Sequence, residues 1–210
     1  MEKSQGSFDY QRMVVGYHGC DKEVLEQVLL KGMHLRKSKN RWDWLGQGTY
    51  FWEFGPQRAL AFAKEQQKRG KIDEPTVLGA YINLSRCFDL TDVEHTHQLA
   101  TAYPIWLETF EASQTSPPIN TQGRGGNTDV LLRDRDCAVL NWYMNLLDTA
   151  HPGSYYYQTV RGVFVEGEPV YDGSGIYTKT HTQLAVRDPA CVLGYFRPTF
   201  FFHEEEANDD

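Results

Sequence analysis

The 210-residue chain holds little that would tie it to a metal, a membrane or an oxidising compartment. Its four cysteines, Cys20, Cys87, Cys137 and Cys191, are far apart and form no CxxC or mixed Cys/His spacing, which indicates neither a zinc site nor a disulfide framework. No apolar run approaches the roughly 18 residues that cross a bilayer. The opening MEKSQGSFDYQR has no apolar core of the kind that directs secretion, so the expectation is a cytoplasmic protein with no membrane partner. His95 and His97 stand in an HTH triplet without cysteine or carboxylate at ligand spacing, so no metal is expected. No internal repeat is visible.

Charge of either sign is scarce in the body of the chain. The net charge is −7, yet HEEEANDD at 203–210 holds five of the acids, leaving the remainder near −2. Such a terminal block is expected to be solvated and disordered. One stretch is basic: Lys31, Arg36, Lys37, Lys39 and Arg41 occur with no acid among them, a composition suited to a phosphate-bearing ligand. Aromatic residues make up 13%, which favours a sheet-rich core and a pocket able to hold planar rings.

Periodicity outlines the elements. MVVGY at 13–17 reads as a strand ending at His18 and Gly19. Asp21 then caps a helix carrying Val24, Leu25, Val28 and Leu29, with Gly32 as its stop. Residues 33–48 lack a period and form a loop into the strand TYFW at 49–52, and Pro56 opens a second helix with Ala59, Phe62 and Ala63 on one face. TVLGAYINL at 76–84 reads as a central strand. A helical region runs from about 92 to 150, interrupted by the Ser/Pro/Gly-rich segment 113–129, which is expected to be a mobile insertion. Strands return in YYQTVRGVFV at 156–165, HTQLAVRD at 181–188 and ACVLGYF at 190–196. The class is α+β, one domain over 1–202 followed by the tail.

Three segments carry a family resemblance. YHGC at 17–20, LGQGTYF at 45–51 and QLAVRDPACV at 183–192 resemble, in order, the three motifs of the ADP-ribosyltransferase superfamily, in the branch of poly(ADP-ribose) polymerases and diphtheria-like toxins. The resemblance spans residues 17–196. It implies a split two-sheet β core with flanking helices and NAD⁺ as co-substrate. His18 would bond ribose hydroxyls, the backbone of Gly19 would hold the nicotinamide carboxamide, and Tyr50 and Phe62 would stack on the two faces of the ring. Arg36, in the basic stretch, is a candidate for the cofactor phosphates. Where the family has glutamate, this chain has Gln183, which keeps a hydrogen bond to ribose but not the charge that stabilises an oxocarbenium-like transition state. His181, two positions earlier on the same strand face, is the candidate to orient the acceptor and take its proton.

The resemblance thus implies a mono-ADP-ribosyltransferase acting on a protein, RNA or DNA acceptor, of the type of small toxins and antiviral defence effectors, with an antitoxin or inhibitor protein as possible partner. Two alternatives stand beside it. One is a catalytically weak module of the same fold that binds NAD⁺, ADP-ribose or a nucleic-acid end; the other is an RNA 2′-phosphotransferase, although that family's paired arginines have no clear equivalent near Gly19. Arg161, inside an apolar strand, reads as an edge arginine, with Glu166, Glu168 or a phosphate as its other candidate partners.

Overall fold

The computed structural model describes residues 10–122 and 132–199. The chain runs β1 (Tyr10–Asp21), α1 (Lys22–Lys31), β2 (Thr49–Glu53), α2 (Pro56–Lys68), β3 (Pro75–Ser85), β4 (Cys87–Asp89), α3 (Val93–Ser113), α4 (Asp134–Ala150), β5 (Thr159–Phe164), β6 (His181–Val186) and, after a 3₁₀ turn at Pro189–Cys191, β7 (Val192–Phe196). Local chemistry accounts for the ends of the first helix. The Asp21 carboxylate accepts from the Glu23 amide, and Gly32 closes the helix in the left-handed conformation at φ 64°. Pro56 sits in the first turn of α2, where its missing N–H costs nothing.

The seven strands form one mixed sheet in the order β4-β5-β6-β2-β1-β3-β7, with β4 and β5 parallel and the remaining pairs antiparallel. This corrects the expected division into two sheets. The reason lies in the β1–β2 junction, where Gly16 pairs with Glu53 and Tyr17 with Trp52, which is enough to join the halves. Toward Tyr50 the pairing stops there. The next β2 carbonyl in reach, that of Tyr50, is bonded instead by the His18 side chain, whose Nδ1 lies 2.8 Å away. The sheet therefore opens on one side of a narrow seam.

Alternation along the strands sorts side chains to two faces. Val14, Phe51, Ala80, Ile82, Leu84, Leu184 and Val186 pack into one core layer. Across the sheet, Ala185 and Val160 meet Leu45, Phe88, Ala102, Leu140, Tyr143 and Met144, so that α3 and α4 cover the β5–β6 half. Helix α2 covers the β1–β3 half through Ala59, against Trp52 and Val77. No helix among the described residues is long and apolar enough to cross a membrane.

Several expectations shift in detail. The strand expected over 156–165 is restricted to Thr159–Phe164, and the three-residue β4 was not anticipated because so short a strand leaves no alternation to read. The expected insertion falls between α3 and α4; residues 114–122 lie outside helices and strands apart from a bridge from Thr121 to Leu132, and 123–129 lie outside the described residues, as does the tail 203–210. Arg161 is not an edge arginine. It lies between strands and bonds Glu53 and Asp89.

Candidate functional site

Where β1 and β2 part, a cleft of about 580 Å³ opens, and its walls include His18, Arg36, Tyr50, Phe62, His181 and Gln183. Sequence reasoning selected all six of these, His181 and Gln183 from one segment and the others from separate ones. Gly19 is not among the lining residues. Its lack of a side chain has another physical cause: a Cβ there would stand 2.1 Å from the carbonyl oxygen of Ala59, so glycine is what lets α2 pack onto β1.

Strand register assembles the central group. Tyr50 and Trp52 alternate with the core residue Phe51 and point to the cleft side, while on the neighbouring strand Tyr50 pairs with Ala185 and Trp52 with Gln183. His181 and Gln183, two apart, both line the cleft, as the strand period requires.

The protonation pattern follows from the partners. A carbonyl oxygen only accepts, so His18 donates from Nδ1 to Tyr50. Burial lowers the His18 pKa from its ordinary value against the opposing effect of that bond, which leaves the ring neutral with Nε2 as an acceptor. His181 follows the same logic. Its Nδ1 donates to the Lys179 carbonyl at 2.6 Å, and burial pulls its pKa down, with Arg58 adding to the effect while Glu166 and the Lys179 bond oppose it. The Tyr50 hydroxyl is fully engaged, accepting from the Leu45 amide at 3.0 Å and donating to the Gly46 carbonyl at 2.8 Å. Burial raises its pKa well above the ordinary value, so it stays a neutral phenol.

One residue that sequence reasoning missed is Trp44. Its indole N–H donates to Gln183 Oε1 at 2.6 Å. An indole nitrogen cannot accept, so this bond fixes the amide: the oxygen faces Trp44 and the NH₂ is turned away from it. The loop 33–48 that carries Trp44 is tied down at several points. Ser38 bridges to Gly48, the Asp43 carboxylate accepts from the Asn40 amide at 2.7 Å, and Asn141 on α4 accepts from the Gln47 amide at 2.8 Å. Glycine at 162 makes room for the ring, since a Cβ there would lie 2.6 Å from Trp44 Cη2, and Phe164 meets the indole edge-on at 5.2 Å. The available signal was a tryptophan inside a polar, glycine-bounded loop, RWDWLGQG, where solvent exposure alone would not favour one.

No family model matches the chain, and no curated protein matches it.

Chemically, the cleft combines a neutral imidazole acceptor at His18, an amide with its oxygen occupied at Gln183, and aromatic surface from Tyr50, Trp52 and Phe62. Phe62 and Trp52 are in ring contact at 5.1 Å. Arg36, Arg58 and Arg69 are offset by Asp43, Glu65 and Glu166 in the same lining. Among the described residues no cluster of His, Cys, Asp and Glu has the makings of a metal site. His95 is buried and bonded to the backbone of Asp89, away from the cleft.

Proposed function

We propose that the chain is an NAD⁺-dependent mono-ADP-ribosyltransferase with an ADP-ribosyltransferase-like fold. The observation that carries this reading is the convergence of His18, Tyr50 and Gln183, from three strands distant in sequence, on one cleft whose volume of about 580 Å³ falls in the range of small-molecule pockets. The narrow seam between β1 and β2 supports the fold assignment, because it sets two sheet halves around that cleft.

In this reading NAD⁺ lies in the cleft with a ribose hydroxyl donating to His18 Nε2 and the nicotinamide ring against Tyr50 and Phe62. The C–N glycosidic bond breaks, its electron pair leaves on nicotinamide, and the acceptor nucleophile forms the new bond to the ribose carbon. Gln183 meets the ribose through its NH₂, so it orients the sugar without contributing a negative charge. His181, unprotonated near neutral pH, takes the proton that the nucleophile loses. Arg36 serves the cofactor phosphates. The test is nicotinamide release from NAD⁺ together with transfer of label from adenylate-labelled NAD⁺ to separated protein, RNA and DNA pools. Release with label in one pool is the expected result, and absence of both refutes the proposal.

One observation favours a second reading. The Gln183 carbonyl is occupied by Trp44, and no carboxylate stands in its place, which suits a module that binds NAD⁺ or ADP-ribose without turnover. Calorimetric binding of NAD⁺ with no nicotinamide released would select it.

A further inference from the structure

At the α2 edge of the cleft, three side chains carry four nitrogen atoms that have no hydrogen-bond partner and are closed off from solvent: Nε and Nη1 of Arg58, Nε1 of Trp52 and Nε2 of His181. All of these side chains line the cleft, and that of His181 is only 7% exposed. They are neighbours. The Arg58 guanidinium sits 5.7 Å from the Trp52 ring centre, the Trp52 and His181 rings are 6.2 Å apart, and the remaining Arg58 nitrogen, Nη2, bonds Glu166 at 2.9 Å. Glu166 Oε2 is in turn 4.0 Å from His181 Nδ1. An unpaired buried polar atom is costly, so a cluster of them on side chains that line a cleft marks a place where a ligand gains by supplying the missing partners.

The pattern of donors and acceptors restricts what that ligand is. Arginine and tryptophan nitrogens only donate. His181 already donates from Nδ1 to Lys179, and its ring is held neutral by burial, so Nε2 accepts. Phosphate or carboxylate offers acceptors alone and would meet both the Nε2 lone pair and the Glu166 carboxylate that already balances Arg58. A guanidinium or ammonium offers donors alone and meets Arg58 as a like charge. A neutral planar ring with a carbonyl or ring nitrogen beside an N–H satisfies both sides at once. Flat surface for such a ring is present in Phe164, which lines the cleft and stacks on His181 at 5.6 Å and 25°.

We infer that the acceptor is a nucleobase, whose hydrogen-bonding edge is read by Arg58, Trp52 and His181. Binding of the base stands on this cluster by itself, whereas its modification rests on the transferase reading above. In that step a nitrogen lone pair of the base forms the bond to the ribose carbon as the bond to nicotinamide breaks, and the proton displaced from the base nitrogen passes to His181 Nε2.

The experiment uses the ¹⁵N-labelled full chain, with the Trp52 indole resonance assigned through Trp52→Phe. Adenosine, guanosine, cytidine and uridine are titrated, and nicotinamide, inorganic phosphate and methylguanidine serve as competing chemistries. At least one nucleoside is expected to shift the Trp52 N–H at lower concentration than any of the three. Arg58→Met and His181→Phe should each weaken that binding about tenfold, as loss of a buried hydrogen bond does. Arg58→Lys keeps the charge opposite Glu166 while losing the planar fork, and should weaken it similarly, which guards against a misfolded Arg58→Met protein. A second arm supplies labelled NAD⁺ with single-base oligonucleotides and a protein mixture, and label is expected on one oligonucleotide. Nucleoside binding without nicotinamide release upholds the base site while removing the transferase reading. The inference is overturned if no nucleoside moves the Trp52 signal, if nicotinamide or phosphate does so more readily, or if label passes to protein.

Discussion

Arg161 and Arg58 both bond carboxylates that are largely shielded from solvent, yet they use their guanidinium groups differently. Arg161 on β5 bonds Glu53 through Nε at 2.6 Å and Nη2 at 3.3 Å, and Asp89 through Nη1 at 3.1 Å. It thereby ties β5 to β2 and β4, and no nitrogen remains for anything else. Arg58 on α2 gives one nitrogen to Glu166 and leaves two without partners beside a cleft. A saturated arginine of this kind is part of the architecture, and an unsaturated one is a binding group. Burial alone does not separate them, since the side chains are 13% and 17% exposed.

The most direct way to break that contrast is by stability. Arg161→Met leaves Asp89 buried with only its Thr91 hydrogen bonds and Glu53 with only the more distant Arg12 at 3.4 Å, and is expected to cost about 3–5 kcal/mol, the scale for removing one partner of a buried ion pair. Arg58→Met removes one bonded contact opposite a loop residue that is able to turn to solvent, and should cost roughly 1–2 kcal/mol. Urea unfolding of both variants decides the matter, and equal losses would mean that the two arginines play the same part.

A smaller effect is expected at the floor of the cleft. Gln183→Ala should lower nicotinamide release about 10²-fold, as loss of a preorganised polar contact to a transition state does, with the urea midpoint near that of the parent. Wild-type turnover in this variant would move the catalytic polar group elsewhere. Trp44→Phe is milder still, because the ring keeps its place over Gly162 and only the N–H that orients Gln183 is lost. About a tenfold fall in turnover is expected. A fall equal to that of Gln183→Ala would show that the indole touches substrate itself.

The smallest effect comes from pH, and it is carried by the histidines of the cleft. His18 has its pKa lowered by burial, so the unfolded chain takes up a proton where the folded chain does not. Its contribution to stability is therefore fully present above the unfolded value of about 6.5 and is lost as pH falls below that toward the folded pKa. The urea midpoint should decline as pH drops from about 7 to about 5, and His18→Gln should flatten the decline. An unaltered slope would place the titrating group at His181, whose shift has the same sign.

Much of the local structure was readable before any coordinates. Asp21 and Gly32 bound α1 by capping chemistry that acts within a few residues, and Pro56 marks the start of α2 for the same kind of reason. The candidate residues His18, Tyr50, His181 and Gln183 were legible from motif order and strand period, and Phe62 from the helix that follows Tyr50. Trp44, Trp52 and Arg58 were not, because what makes each of them notable is a partner, or a missing one, more than a hundred positions away in several cases. Arg161 was misread for that reason: its charge suggested an edge, while its partners Glu53 and Asp89 arrive from distant strands.

The sequence by itself determined the α+β character, the strand faces and the helix ends, since these depend on side-chain period and on neighbours along the chain. Tertiary structure alone decided the rest. The order β4-β5-β6-β2-β1-β3-β7 places non-consecutive strands side by side, and only that arrangement makes one sheet where two were expected, opens the cleft at the β1–β2 seam, and turns the Gln183 amide by a hydrogen bond from Trp44. Such pairings depend on distances between groups that the chain brings together only when it folds, so no local rule encodes them.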